Sequence, residues 1–178
     1  MISSFKTKRI ETQQDGKSSS LILREYRNSD LDAVVKLLEE LSEFVDTARL
    51  IEKETISGTF DEMQRCPHIY QNIIAEISGD SVGLLSLVMY KTPFHTGGTA
   101  LINELVIKSS HRGMGIGKHL IETAKEIALA NEMDELEVGT EKSNDGAQNF
   151  YRKCGFDEEH VLLGMEFHST FSVFGGNP

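Results

Sequence analysis

Leu105-Val-Ile-Lys-Ser-Ser-His-Arg112-Gly-Met-Gly-Ile-Gly-Lys118 joins an apolar run to an amphipathic one, with three alternating glycines at the join. Upstream, Thr99 to Ile107 reads as a strand. Downstream, Leu120, Ile121, Ala124, Ile127 and Ala128 recur at helical spacing and form one apolar stripe. A strand-to-helix junction presents unpaired N–H groups and the positive end of a helix dipole. Glycines there let the backbone take positive φ and approach a ligand closely. Together these features suit a phosphate-bearing anion.

Two familiar phosphate loops do not fit. A dinucleotide fingerprint spaces its glycines G-x-G-x-x-G, whereas Gly113, Gly115 and Gly117 fall as G-x-G-x-G. A P-loop ends in Gly-Lys-Ser/Thr, whereas Gly117-Lys118 is followed by His119. A ligand-free tight turn is the remaining structural reading.

Around this junction the chain reads as an α/β layout. Leu21 to Tyr26 is a short first strand. Ser29 with Asp32 resembles a helix N-cap with its acidic partner, and a helix over 30–46 carries Leu31, Val34, Val35, Leu38, Leu41 and Val45 on one face. A second helix between Ile51 and Arg65 is ended by Pro67. Asn72–Ser78 and Val82–Tyr90 form a hairpin about Gly79-Asp80. Glu135–Thr140 is a strand, Asp145–Lys153 a short helix stopped by Gly155, and Val161–Phe167 a last strand. The order is β-α-α-β-β-β-α-β-α-β.

A second motif stands downstream: Ser143-Asn144-Asp-Gly-Ala147-Gln-Asn-Phe150-Tyr151-Arg-Lys-Cys-Gly155-Phe156. With Arg112, Gly115 and Gly117 it resembles the GNAT superfamily, the Gcn5-related N-acetyltransferases. That family has Gln/Arg-x-x-Gly-x-Gly/Ala at a strand–helix junction, then Asn-x-x-Ala-x-x-hydrophobic-Tyr-x-x-x-Gly-Phe. The strong match covers about 100–157; the element order matches from about 20 to 167. The resemblance implies a mixed, mostly antiparallel α/β (α+β) sheet, splayed between its fourth and fifth strands and flanked by about four helices. It divides the chain into a disordered leader over 1–19, one acetyltransferase domain over 20–167 and a tail over 168–178.

The resemblance also implies roles. Acetyl-CoA is the co-substrate and no metal is called for. The amides of Gly113, Met114, Gly115, Ile116, Gly117 and Lys118, with Arg112, would hold the pyrophosphate. The backbone at Leu105, Val106 and Ile107 would pair with the pantetheine arm. Asn144 would bind that arm or cap its helix. Tyr151 would donate to the departing thiolate or pack against the sheet. The attacking amine must lose a proton. Glu104, Glu141 and His95 are the candidate bases, and Glu104 lies nearest the position many members use. The family's common acidic position one residue earlier is Asn103, and another subset places its base where Gly139 stands.

Composition narrows the partners. The 178 residues suit one domain, and the formal net charge is −10. Such a field repels nucleic acids and anionic membranes and tolerates cationic small molecules. Glu39, Glu40, Glu43 and Asp46 on the first helix read as a solvated face before they read as a surface for a cationic acceptor. No apolar run is long enough to span a bilayer. Cys66 and Cys154 show neither disulfide nor metal spacing, which fits a cytoplasmic setting. The expectation is an N-acetyltransferase acting on a small-molecule primary amine. A protein N-alpha or lysine acetyltransferase and a non-catalytic acyl-CoA sensor are the alternatives, and a homodimer accords with the habit of many members.

Overall fold

Continuous apolar runs set the centre of the sheet. A computed structural model of the chain describes residues 5–14, 17–44 and 51–165, without the side chains of 12–18. Its strands are β1 (Lys8–Gln14), β2 (Lys17–Glu25), β3 (Tyr70–Ile77), β4 (Asp80–Tyr90), β5 (Thr99–Ile107) and β6 (Glu135–Val138). Its helices are α1 (Leu31–Ser42), α2 (Lys53–Arg65), α3 (Ile116–Ala130) and α4 (Asp145–Lys153). The six strands follow one another in sheet order. All neighbours are antiparallel except β5 and β6, which run parallel through α3. This is the mixed, mostly antiparallel sheet with flanking helices that the sequence implies.

Each sheet face builds its own core. Leu21, Leu23, Ile73, Leu85, Leu87, Ala100 and Ile102 point to one face and meet Ile116, Leu120, Ile121, Ala124 and Ile127 of α3. Ile74, Leu84 and Val106 point to the other and meet Val34 and Leu37 of α1 and Phe60 of α2. The central strands are buried on both faces, so they read as continuous apolar runs.

The N-terminal region departs from the expected leader. Residues 8–14 form β1, which pairs with β2 from Lys8↔Leu23 to Gln14↔Lys17. The polar composition of this stretch argues for disorder, but an edge strand needs only one dry face. Ile10 supplies it against the α3-side core, and β2 supplies the backbone partners. β2 accordingly begins at Lys17, ahead of Leu21.

The expected final strand is also different. Val161–Met165 carry no strand, and Val161, Leu162, Leu163 and Met165 are exposed; 166–167 lie outside the described residues. Apolar pattern alone does not make a strand, and Val161–Met165 pair with no strand among the described residues.

The start of α1 is set by Asp30 rather than Ser29. Asp30 accepts from the Arg27 amide at 2.8 Å and holds Arg24 by two 2.7 Å bonds. Glu76 takes the third side of Arg24 at 2.7 Å, and both Arg24 and Asp30 are buried. Burial alone would raise the Asp30 carboxyl, but Arg24, the Arg27 amide and Ser81 hold it below the ordinary range. Removing one partner of a buried pair strands the other charge. Asp30→Ala should therefore lower the unfolding free energy by about 3 kcal/mol, read from the urea midpoint at constant slope. A change within about 0.5 kcal/mol would place the cluster outside the stability of the fold. The end of the predicted 30–46 helix, including Val45, lies outside the described residues.

Candidate active site

β5 and β6 separate, and the separation makes the site. Their pairing runs from Thr99↔Glu135 to Ile102↔Val138 and stops there. β5 continues for Asn103–Ile107 with β4 on one side and, among the described residues, no strand on the other. Backbone polar groups on that free edge need partners from elsewhere. One is taken by Arg112, whose Nε donates to the Ile107 carbonyl at 3.0 Å.

A bulge decides where Glu104 points. Ser86 pairs with Glu104, yet Leu87 pairs with Ile102, so Asn103 is an extra residue in β5. Simple alternation would put Glu104 on the same face as Ile102, under α3. The bulge moves it to the face of Leu84 and Val106, under α1 and α2. Asn103 Nδ2 donates to Glu104 Oε1 at 2.6 Å. Burial pushes the Glu104 carboxyl above its ordinary range, while Ser86 and Asn103 pull the other way.

The glycine turn lies at the end of the free edge. Gly113 has φ +77° and Gly115 φ +78°, and a Cβ at either would meet nothing within 4 Å. Conformation, not crowding, requires glycine there. Gly115 is the N-cap of α3 and offers no side-chain oxygen to the first-turn amides. The helical ladder starts with His119 N donating to the Gly115 carbonyl at 3.2 Å. The amides of Ile116, Gly117 and Lys118 therefore open outward as a helix terminus does. Met114 packs against the α3-side core and Ile116 is buried within it, which seats the turn. Gly117 serves packing: a Cβ there would meet the Phe150 ring at 3.1 Å, so α4 closes directly on the start of α3.

Arg112 is held by the protein itself. Besides Ile107, its guanidinium lies 3.6 Å from Glu40 and 5.1 Å from the Phe44 ring centroid. Glu40 also accepts from the Ser109 amide at 2.7 Å. Leu105 and Ile107 pack toward the α3 face and Val106 toward α1 and α2, leaving their backbone as what the gap presents.

Asn144 is the N-cap of α4 and accepts from the Ala147 amide at 3.0 Å. Gln148, which carries no sequence signal, ties the approach by donating to the Lys142 carbonyl at 2.9 Å and the Glu141 carbonyl at 3.2 Å. Tyr151 stands edge-on to Phe150 and Phe156, with centroids 5.3 Å and 5.6 Å away. Burial, with a smaller effect from Cys154, pushes its phenol up to about 12. Tyr151 packs with the α3-side core, so it and Glu104 belong to opposite faces of the sheet.

The other candidate bases lie elsewhere. His95 sits 3.2 Å from Glu135 and 3.6 Å from Asp134, beside Thr99 at the far end of β5. With the bulge at Asn103, four steps of strand, about 13 Å, separate Thr99 from Glu104. Glu141 lies past β6, with its carbonyl accepting from the Asn144 amide at 3.0 Å. Ser86 was not singled out by sequence, although a lone serine inside the apolar run Val82–Tyr90 was the available signal. No group of three or more His, Cys, Asp or Glu is placed for a metal ion among the described residues.

The sequence model of the Acetyltransferase (GNAT) family matches residues 33–156. Streptothricin acetyltransferase of Escherichia coli is 40% identical over 57 residues, covering 32% of this chain and 33% of that protein; the chain thus matches about a third of that relative's length. Thialysine N-epsilon-acetyltransferase of Mus musculus is 25% identical over 144 residues, covering 77% of this chain and 84% of that protein. Among solved structures, a transcriptional regulator from Bacillus halodurans C-125 superimposes with a TM-score of 0.71 at 25% identity, covering 83% of this chain and 99% of the other. With its sheet, its glycine turn and its two motifs in register with that family, this chain belongs to the acetyltransferase (GNAT) family.

Proposed function

We propose that this chain is an N-acetyltransferase that moves an acetyl group from acetyl-CoA to a primary amine of a small molecule, directly and within one ternary complex. The observation that carries this reading is the gap beside β5. An open anion cradle lies at its end, a carboxyl stands on one face and a phenol on the other. The residues fit the co-substrate. Gly113–Lys118 offer outward amides and a helix dipole for the pyrophosphate. The free edge of Leu105–Ile107 offers backbone groups to an extended arm. Asn144 orders α4, and Arg112 holds the turn against β5 and α1. Cys66 and Cys154 are both free thiols, in keeping with a cytoplasmic setting.

Acetyl-CoA supplies an acyl group joined to a good leaving group. Glu104 takes a proton from the amine, directly or through one water, so that nitrogen carries a free pair. The new N–C bond forms as the C–S bond breaks. Tyr151 gives its phenolic proton to the departing sulfur and regains one from the newly acylated nitrogen, and the products are the amide and free thiol. A raised Tyr151 pKa keeps the phenol protonated, which is the form a donor needs. The small-molecule acceptor accords with two relatives whose names specify streptothricin and thialysine.

The cradle is tested by Gly115→Val. A β-branched residue at φ +78° costs at least ~1–2 kcal/mol in backbone strain, and its side chain occupies the anion side. Acetyl-CoA affinity by calorimetry should fall at least tenfold. Gly58→Ala, whose added methyl meets nothing within 4 Å, should leave it unchanged. Equal affinities for Gly115→Val and the native chain would remove the turn from the site.

A further inference from the structure

Among the described residues, one half of the α1/α2 face of the sheet has no helix over it, and it leads away from Glu104. Ile74, Leu84 and Val106 lie beneath α1 and α2. The next cross-strand row is Asn72, Ser86 and Glu104, one residue from each of β3, β4 and β5. Beyond it the same face presents Tyr70, Val88 and Leu101, all half-buried, then exposed Tyr90. β6 continues this face with Glu137, paired to Leu101, and Glu135, paired to Thr99.

Two features of this face point to a cationic ligand. The Asn72 Oδ1 atom is buried without a hydrogen-bond partner among the described residues, and the residue is 8% exposed. A buried orphan of this kind is costly to leave unmade and invites a donor. The second feature is Glu137. It accepts only a neutral donor, the Tyr90 hydroxyl at 2.9 Å, and has no ion-pair partner among the described residues. Glu135 is differently placed, because Thr99 at 2.8 Å and His95 at 3.2 Å already occupy it. The other charged groups at this end are Asp134, held by the Gly97 amide, and Lys91, bonded to the Gly97 carbonyl.

Glu104 and Glu137 are thus two carboxylates on one open face with no cation between them. Glu137 is one strand over from Leu101, and the bulge makes Leu101 to Glu104 two effective steps. Their Cα atoms are therefore about 8 Å apart, close to the span of two ammonium groups joined by about four carbons. We propose that the acceptor is an alkyl diamine or a larger polycation, with its reacting amine at Glu104 and its second ammonium on Glu137. This rests on the N-acetyltransferase reading given above and names the amine that the reading leaves open. Ammonium groups carry three donors and no acceptor, which matches a face that offers an orphaned acceptor and two carboxyl groups. Tyr90 and Tyr70 add aromatic faces for a cation.

The test compares 1,4-diaminobutane with 4-amino-1-butanol, which keeps the length and loses the second charge. In the native chain kcat/KM should favour the diamine at least tenfold, and the ratio should shrink in high salt. Glu137→Gln should bring the ratio down at least fivefold, and calorimetry should show weaker diamine binding to that variant. Glu135→Gln, with its carboxylate already taken, should leave the ratio within twofold. Equal kcat/KM for the two amines, with turnover observed, overturns the diamine proposal and leaves the acetyltransferase reading standing. Binding of acetyl-CoA without turnover of any amine overturns both.

Discussion

Tyr151→Phe should lower kcat about a hundredfold or more while acetyl-CoA binds as before. The substitution removes one hydroxyl and keeps the ring that packs on Phe150 and Phe156, so the fold and cradle stay intact. What is lost is a proton for the departing sulfur, and a thiolate leaving unassisted faces a higher barrier. The pH dependence separates this role from packing. With the phenol pushed up to about 12 by burial, Tyr151 stays protonated through pH 10. The native rate should show no alkaline decline from this group below that point. Unchanged kcat in the variant, under conditions where chemistry limits turnover, would take Tyr151 out of the reaction.

Glu104→Gln is the second large effect. Without a base the amine reacts only through its small free fraction, and kcat/KM at neutral pH should drop about a hundredfold. The deficit should narrow as pH rises and the amine deprotonates unaided. In the native chain the acid limb should have its midpoint above the ordinary glutamate value of about 4.3, because burial raises this carboxyl. Stability should move the opposite way. A raised native pKa means the folded state binds the proton more tightly than the unfolded chain. That stabilisation is fully present below the unfolded pKa and is lost as pH rises through the folded one. E104Q should therefore gain stability relative to the native chain between pH 4 and pH 7. A gain in urea midpoint together with a loss of rate would mark Glu104 as kept for chemistry. Equal pH dependence of stability in both chains would contradict the burial of its charge.

The sequence carried the centre of the molecule well and its margins poorly. Gly113, Gly115 and Gly117 were legible because positive φ and close packing leave few alternatives to glycine, although the structure divides their tasks. The first two serve backbone conformation, and the third serves contact with Phe150. Asn144 read as a cap and is one. The side of the sheet reached by Glu104 was not legible, because it depends on a bulge at Asn103, and one inserted residue reverses alternation without a compositional mark. β1 was missed for a related reason. A strand that buries little more than Ile10 depends on its neighbour's backbone, which pattern does not report. The last strand failed in the other direction: Val161–Met165 has a strand's apolar pattern yet pairs with no strand among the described residues. Ser86 and Glu137 acquired meaning only through pairing, since neither is remarkable until Glu104 and Leu101 lie beside them.

The most direct measurement is thiol release from acetyl-CoA by the purified chain, with and without 1,4-diaminobutane and a panel of other primary amines, alongside calorimetric acetyl-CoA binding. The account predicts binding in the absence of amine, little thiol release until an amine is added, and one acetylated amine formed per thiol released. Acetyl-CoA bound tightly with no amine-dependent thiol release, or no binding at all, would contradict it.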